Sequence, residues 1–134
     1  MPVRPMQSNE LPRVQAMMRA LTAEDYDFSD EVVFVWEGDD GPLGGFISVS
    51  LRPWAEGCES TPVPYIEGWW VEPNVRRTGV GRALVAAVEA WCLAKGYTEL
   101  GSDVEVSNEA SLRAHRTLGF ESTLQLQFFR RRLT

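Results

Sequence analysis

Apolar and polar positions alternate between two spacings along the chain, and the changes of spacing mark its elements. Residues 3–6 open with a short strand pattern, and Asn9 is a plausible N-cap for a helix over 10–22. There Leu11, Val14, Met17, Met18 and Leu21 fall on one helical face, and Pro12 is tolerable because it lies in the first turn. After a polar loop over 24–30, two apolar runs at 32–36 and 46–51 flank the turn-rich Gly38-Asp39-Asp40-Gly41-Pro42 and predict an antiparallel hairpin. The run YIEGWWV at 65–71 is apolar on both faces, which predicts a strand in the middle of a covered sheet ended by Pro73. Val80, Leu84, Val88, Trp91 and Cys92 then return to helical spacing until Gly96. Residues 100–104 read as a strand, 108–118 as a helix closed by Gly119, and 120–133 as one long or bent terminal strand. The order is β, α, β, β, β, α, β, α, β, with no internal repeat or linker, so residues 1–134 form one expected domain.

The passage from the 65–71 strand to the next helix carries the clearest chemistry. Arg76-Arg77-Thr78-Gly79-Val80-Gly81 is an R-x-x-G-x-G loop opening a long helix. Glycines let the backbone turn and present N–H groups beside the positive end of a helix dipole, an arrangement suited to phosphate. Arg76, Arg77 and Arg82 add full charges there. A glycine-rich turn with no ligand is the plainer account of such a loop. It is not a P-loop, because no G-K-[ST] follows, and it lacks the third glycine of the dinucleotide fingerprint.

Charge narrows the partners. The net charge is −6, which disfavours a nucleic-acid binder that relies on neutralising many phosphates. The two halves differ: residues 1–73 carry a balance of −9 and residues 74–134 one of +3. Eight acids and no base lie between Glu24 and Asp40, either a solvated loop and hairpin turn or a pole built for a cation. No apolar run approaches the ~20 residues of a membrane span, and MPVRPMQSNELPR lacks the apolar core of a signal peptide, so a cytoplasmic protein is expected. Cys58 and Cys92 lack metal-ligand spacing, and no metal site is expected. Cys92 reads as core, and the acids around Cys58 would raise its pKa and leave it a poor nucleophile.

Two segments carry a family resemblance. VEPNVRRTGVGRALVAAVEAW resembles the pyrophosphate-binding motif of the GNAT superfamily of acyl-CoA-dependent N-acetyltransferases, [Q/R]-x-x-G-x-[G/A], and NEASLRAHRTLGFE resembles its helix ending in L-G-F. More narrowly, GCESTPVPYIEGWWVEP and GSDVEVSNEASLRAHRTLGFEST are similar to the aminoglycoside 6′-N-acetyltransferases. The resemblance implies an α/β GNAT fold: a central mixed, mostly antiparallel β-sheet with splayed parallel strands, flanked by helices. It implies acetyl-CoA as donor, an aminoglycoside or other cationic amine as acceptor, direct transfer in a ternary complex, and a homodimer. The acidic N-terminal half suits such an acceptor.

The resemblance also implies roles. Trp69, Trp70 and Val71 would flank the pantetheine, the loop Arg76, Arg77, Thr78, Gly79, Val80 and Gly81 would hold the pyrophosphate, and Asn108 would contact the cofactor unless it is simply a helix cap. Glu67, mid-strand, is the candidate base, its pKa raised by burial among aromatics, with a Glu on a solvent-facing strand surface as the alternative. Asp103 matches an acceptor-binding position and competes for the base role; a helix-capping Asp would also stand there. Trp54 and Glu121 match acceptor contacts, although Trp54 could equally pack, and Tyr26 would form part of the loop rim with Glu24, Asp25 and Asp27.

One departure concerns the general acid. Many GNAT members carry a Tyr four residues before the Gly of L-G-F, and here that residue is His115, which shares a helical face with Leu112 and Leu118 and reads as a buried, hydrogen-bonded side chain. The general acid is therefore open. An enzyme for another amine, such as a polyamine, a small metabolite or a protein N-terminus, and a non-catalytic acyl-CoA-binding module are the competing functions.

Overall fold

The computed structural model describes residues 2–39 and 41–134, so Asp40 of the acidic run lies outside the described residues. The chain forms two compact units, 1–102 and 103–134.

The first unit is built on a four-stranded antiparallel sheet in the order β1-β2-β3-β4: β1 is Val3–Pro5, β2 Val32–Glu37, β3 Leu43–Arg52 and β4 Val63–Val71. Its helices are α1, Leu11–Thr22, and α2, Val80–Ala94. The expected hairpin is present with longer arms. The helix predicted over 10–22 begins one residue later, because Ser8–Glu10 form a 3-10 turn whose Glu10 carboxylate accepts the Gln7 N–H.

β3 is buried from Leu43 to Val49 and is the central strand, covered on both faces. On one face, Val14, Met17 and Met18 of α1 pack with Phe28, Val33, Val35 and Phe46. The opposite face meets α2: a Cβ on Gly45 would lie 3.2 Å from Leu84 and 3.3 Å from Val80. Full burial of such side chains contributes ~1.5–3 kcal/mol each, which makes this sandwich the rigid frame for everything attached to it.

The strand predicted in the middle of the sheet, β4, ends the four-strand order. On its far side it makes one parallel bridge, Tyr65 with Gly101, in which Ile66 N–H donates to the Gly101 carbonyl and Gly101 N–H to that of Pro64, both at 2.9 Å. The predicted strand over 100–104 reduces to that contact. Burial changes along β4, with Val63–Ile66 buried and Trp69–Val71 half-exposed.

In the second unit, α3 is Glu109–Thr117, capped by Asn108 and closed by Gly119 in the left-handed region. The predicted terminal strand over 120–133 is absent: these residues form no helix or strand, and Leu124, Leu126, Phe128, Phe129 and Leu133 are exposed. A strand exists only when its backbone finds a ladder, and no ladder engages this segment.

Candidate active site

Glu67 owes its setting to an irregularity in the ladder. Between β3 and β4, Ser48 pairs with Gly68 and Val49 with Ile66, which leaves Glu67 as an extra residue in a β-bulge. A bulge bends its strand and re-aims the side chain it carries. The Glu67 carboxylate accepts two hydrogen bonds from the Arg52 guanidinium, at 2.8 Å each, and one from the Ser50 hydroxyl at 2.5 Å. With the Glu67 side chain only 18% exposed, this is a bidentate, partly desolvated pair and not a loose surface contact. The Arg52 guanidinium is itself stacked 3.6 Å above the Tyr65 ring.

This corrects one expectation. Burial does push the Glu67 carboxyl up, but the Arg52 and Ser50 hydrogen bonds and the Arg52 charge outweigh it and hold the group below the usual carboxylate range. Glu67 is therefore an ionised, fixed anion at neutral pH.

Beyond Glu67 the strand leads into the basic loop. Trp70 donates its indole N–H to Glu72, which Arg13 also holds at 3.1 Å. Arg76 folds back so that its Nε donates to the Val71 carbonyl at 2.8 Å while its guanidinium lies 4.8 Å from the Trp70 ring. The Thr78 hydroxyl donates to the Val75 carbonyl at 2.5 Å. Arg77 adopts φ 63, a left-handed conformation costly for a side chain of its size. Gly79, at φ 92, is the N-cap of α2, and no side chain caps that helix. Gly81 permits close packing, since a Cβ there would stand 3.3 Å from the Trp69 ring. Among the described residues no ion pair or side-chain hydrogen bond involves Arg77 or Arg82. The result is a helix start with open N–H groups and uncommitted cations, which fits a phosphate-bearing ligand.

The remaining predicted residues divide between the two units. Tyr26, in the first, is half-buried against Phe28 with its ring centroids 4.8 Å apart, and its hydroxyl donates to Glu31. Trp54 is 64% exposed in the loop after β3. In the second unit Asp103 and Glu121 are exposed, with Asp103 outside any strand. Asn108 Oδ1 accepts the Ser111 N–H at 3.1 Å, so its side-chain oxygen serves as a helix cap. His115 is half-buried, its Nδ1 lies 2.7 Å from the Ser111 carbonyl, and its ring centroid lies 5.1 Å from that of Phe120. The Cys58 thiol is pushed up first by burial and then by Glu99, a refinement of the expectation that nearby acids alone would do so. Among the described residues no group of His, Cys, Asp or Glu could hold a metal ion.

Sequence reasoning missed Ser50 and Arg52. One signal was available: Arg52 is the only base between Arg19 and Arg76, and an isolated cation in an acidic stretch has a partner to serve.

The model of the acetyltransferase (GNAT) family matches residues 5–120. The chain belongs to this family. It is 45% identical over 101 residues to an aminoglycoside N(6′)-acetyltransferase type 1 of Klebsiella aerogenes, covering 75% of this chain and 66% of that protein. Thus the chain spans about two thirds of the length of the curated relatives it matches. Among solved GNAT structures it resembles AAC(6′)-Iy in complex with the bisubstrate analogue CoA-S-monomethyl-acetylneamine, with TM-score 0.87, 31% identity and coverage of 98% of this chain and 97% of that one. It also resembles the aminoglycoside N-acetyltransferase AAC(6′)-Iy in complex with CoA, with TM-score 0.84, 33% identity and coverage of 98% and 99%. The GNAT fold is therefore present, with an antiparallel sheet flanked by helices. The expected parallel strands amount, among the described residues, to the Tyr65–Gly101 bridge.

Proposed function

We propose that this chain transfers the acetyl group of acetyl-CoA to the 6′-amine of aminoglycosides, directly and within a ternary complex. The observation that carries the reading is the course of β4, which sets a fixed carboxylate at Glu67 and ends at an uncapped, arginine-flanked helix start. The likeness to AAC(6′)-Iy bound to CoA and to an analogue joining CoA to acetylneamine supports the choice of donor and acceptor.

Acetyl-CoA supplies an activated thioester carbonyl. The α2 N-terminus, Gly79, Gly81 and the Arg76, Arg77 and Thr78 segment bind its pyrophosphate, and the strand segment Trp69, Trp70 and Val71 binds its pantetheine. Asn108 contributes from the following turn. Glu67 attracts and orients the acceptor's ammonium and takes up the proton it loses before its lone pair attacks the acetyl carbon; the second N–H proton goes to the CoA thiolate that leaves as the carbon–sulfur bond breaks. The depressed pKa of Glu67 makes it a weak base, so position is its main contribution. Asp103, Trp54, Tyr26 and Glu121 contact the acceptor.

The two units work as one catalytic domain, a reading supported by the family match running across their boundary. The chain acts as a cytoplasmic homodimer; the exposed Leu124, Leu126, Phe128 and Phe129 supply apolar surface for a second copy. No helix among the described residues is long and apolar enough to cross a membrane. Thiol release from acetyl-CoA, measured across aminoglycosides, polyamines and peptides, tests the function. Turnover with aminoglycosides is expected, and turnover with peptides alone would overturn it.

A further inference from the structure

The connection from β3 to β4 has no helix or strand over residues 53–62, yet it is fastened on several sides. At its base Arg52 pairs with Val63 in the ladder. On its inner side Ala55 is buried with Val63 and Tyr65, and the Cys58 N–H donates to the Ala55 carbonyl at 3.2 Å. Near its far end Glu99 takes hold. Glu99 Oε1 accepts the Ser60 N–H at 2.6 Å, the Ser60 hydroxyl at 2.5 Å and the Glu59 N–H at 3.0 Å, and Oε2 lies 3.1 Å from that last nitrogen.

Two successive backbone N–H groups and a hydroxyl converging on one carboxylate form a small anion nest. These bonds hold the Glu99 carboxyl below the usual carboxylate range, first through the Ser60 hydroxyl and then through the backbone of Ser60 and Glu59. Hydrogen bonds to an ionised acceptor are stronger than neutral ones. The anchor is itself fixed. The Tyr97 N–H donates to the Cys92 carbonyl at the end of α2, and Gly101, two residues beyond Glu99, makes its two 2.9 Å hydrogen bonds with Pro64 and Ile66 of β4. Glu59, Ser60 and Glu99 all lie outside the buried core, so what the clamp orders is the loop.

Two features of the proposed site depend on the course of that loop. It starts beside Arg52, which grips Glu67, and it carries Trp54, which is 64% exposed. An unpinned loop would have to be ordered by the acceptor at a cost in affinity, whereas a pinned one is preorganised. We propose that Glu99 is a positioning residue of the acceptor site: through Glu59 and Ser60 it holds residues 53–62 and so presents Trp54 ready to meet the acceptor. The inference rests on the proposed transfer to an aminoglycoside with Trp54 as a contact, and it adds a residue that acts only through others.

The test is a double-mutant cycle in steady-state acetylation of kanamycin, with wild type, Glu99→Gln, Trp54→Ala and the double variant, and acetyl-CoA affinity measured by calorimetric titration. The amide of Glu99→Gln turns an NH2 group toward donors and removes the charge. The KM for kanamycin should rise about fivefold or more, while kcat and acetyl-CoA affinity stay within about threefold. In the Trp54→Ala background the same substitution should change KM by less than about twofold, because its effect runs through the loop that carries Trp54. Ser60→Ala removes one donor of the clamp and should raise KM in the same direction by less. Amide hydrogen exchange should quicken at Glu59 and Ser60 in Glu99→Gln while β3 and β4 keep their protection. Loss of protection throughout both strands, or effects of Glu99→Gln and Trp54→Ala that simply multiply, would overturn the positioning role. An unchanged KM in Glu99→Gln, with wild type active, would also overturn it and leave the proposed function standing. Wild type that binds acetyl-CoA but acetylates no aminoglycoside would overturn the proposed function, and the role of Glu99 with it.

Discussion

The middle of β4 and the loop beyond its end treat charge in opposite ways. At Glu67 both carboxylate oxygens are already occupied by Arg52 and Ser50, so the charge is fixed, oriented and internally balanced. At the start of α2 no side chain caps the helix, and among the described residues neither Arg77 nor Arg82 makes an ion pair or a side-chain hydrogen bond. One region is prepared to position a group, the other to receive an anion. Net charge by halves, −9 against +3, blurs this distinction, because it counts charges without asking which are locally compensated.

The comparison breaks first at Glu67. Glu67→Gln should lower kcat by ~10²-fold or more, the usual scale for losing a positioned proton acceptor, with acetyl-CoA affinity within about threefold. Steady-state kinetics beside calorimetric titration of acetyl-CoA checks the split. At the other region, Gly79→Val forces a branched side chain into φ 92 and should weaken acetyl-CoA binding by about tenfold or more, in keeping with the cost of backbone strain. If instead both variants lost activity and cofactor affinity in equal measure, the two regions would not have separate jobs.

Arg52→Met sharpens the first region. Without the guanidinium, burial acts unopposed by that partner, so the Glu67 pKa rises toward and past its ordinary value. A base must be ionised to act, so the acid limb of the kcat/KM profile should move to higher pH than in wild type. The same linkage fixes the sign for stability. In wild type the depressed pKa contributes stability above the ordinary carboxylate range that is lost as pH falls through the folded value, and Arg52→Met should flatten that dependence in acid melts. The smallest effect is expected at Asn108, where replacement by Ala should cost about 1 kcal/mol of stability through loss of the helix cap, read by denaturant unfolding.

Much of the first unit was legible in the sequence because its elements bury one face or two, and burial leaves a period. The two helical stripes, the hairpin and the 65–71 strand all emerged this way, with ends off by a few residues. The edge position of β4 was not legible, since an apolar run records burial and not which neighbours form a ladder. Phe120 to Leu133 failed for the related reason that strand-like composition does not supply a partner strand.

At the site, the R-x-x-G-x-G loop was readable because its glycines and arginines are adjacent in sequence. The clamp on Glu67 was not, because Ser50 and Arg52 come from a different strand, 17 and 15 residues away. That long-range contact reversed the expected direction of the Glu67 pKa.

The most direct test of the account is the product itself. The chain is incubated with acetyl-CoA and kanamycin, and the acetylated nitrogen is identified by NMR. The prediction is a single acetyl group on the 6′-nitrogen with stoichiometric release of free CoA thiol; acetylation at another nitrogen, or no acetylated product while acetyl-CoA binds, would contradict it.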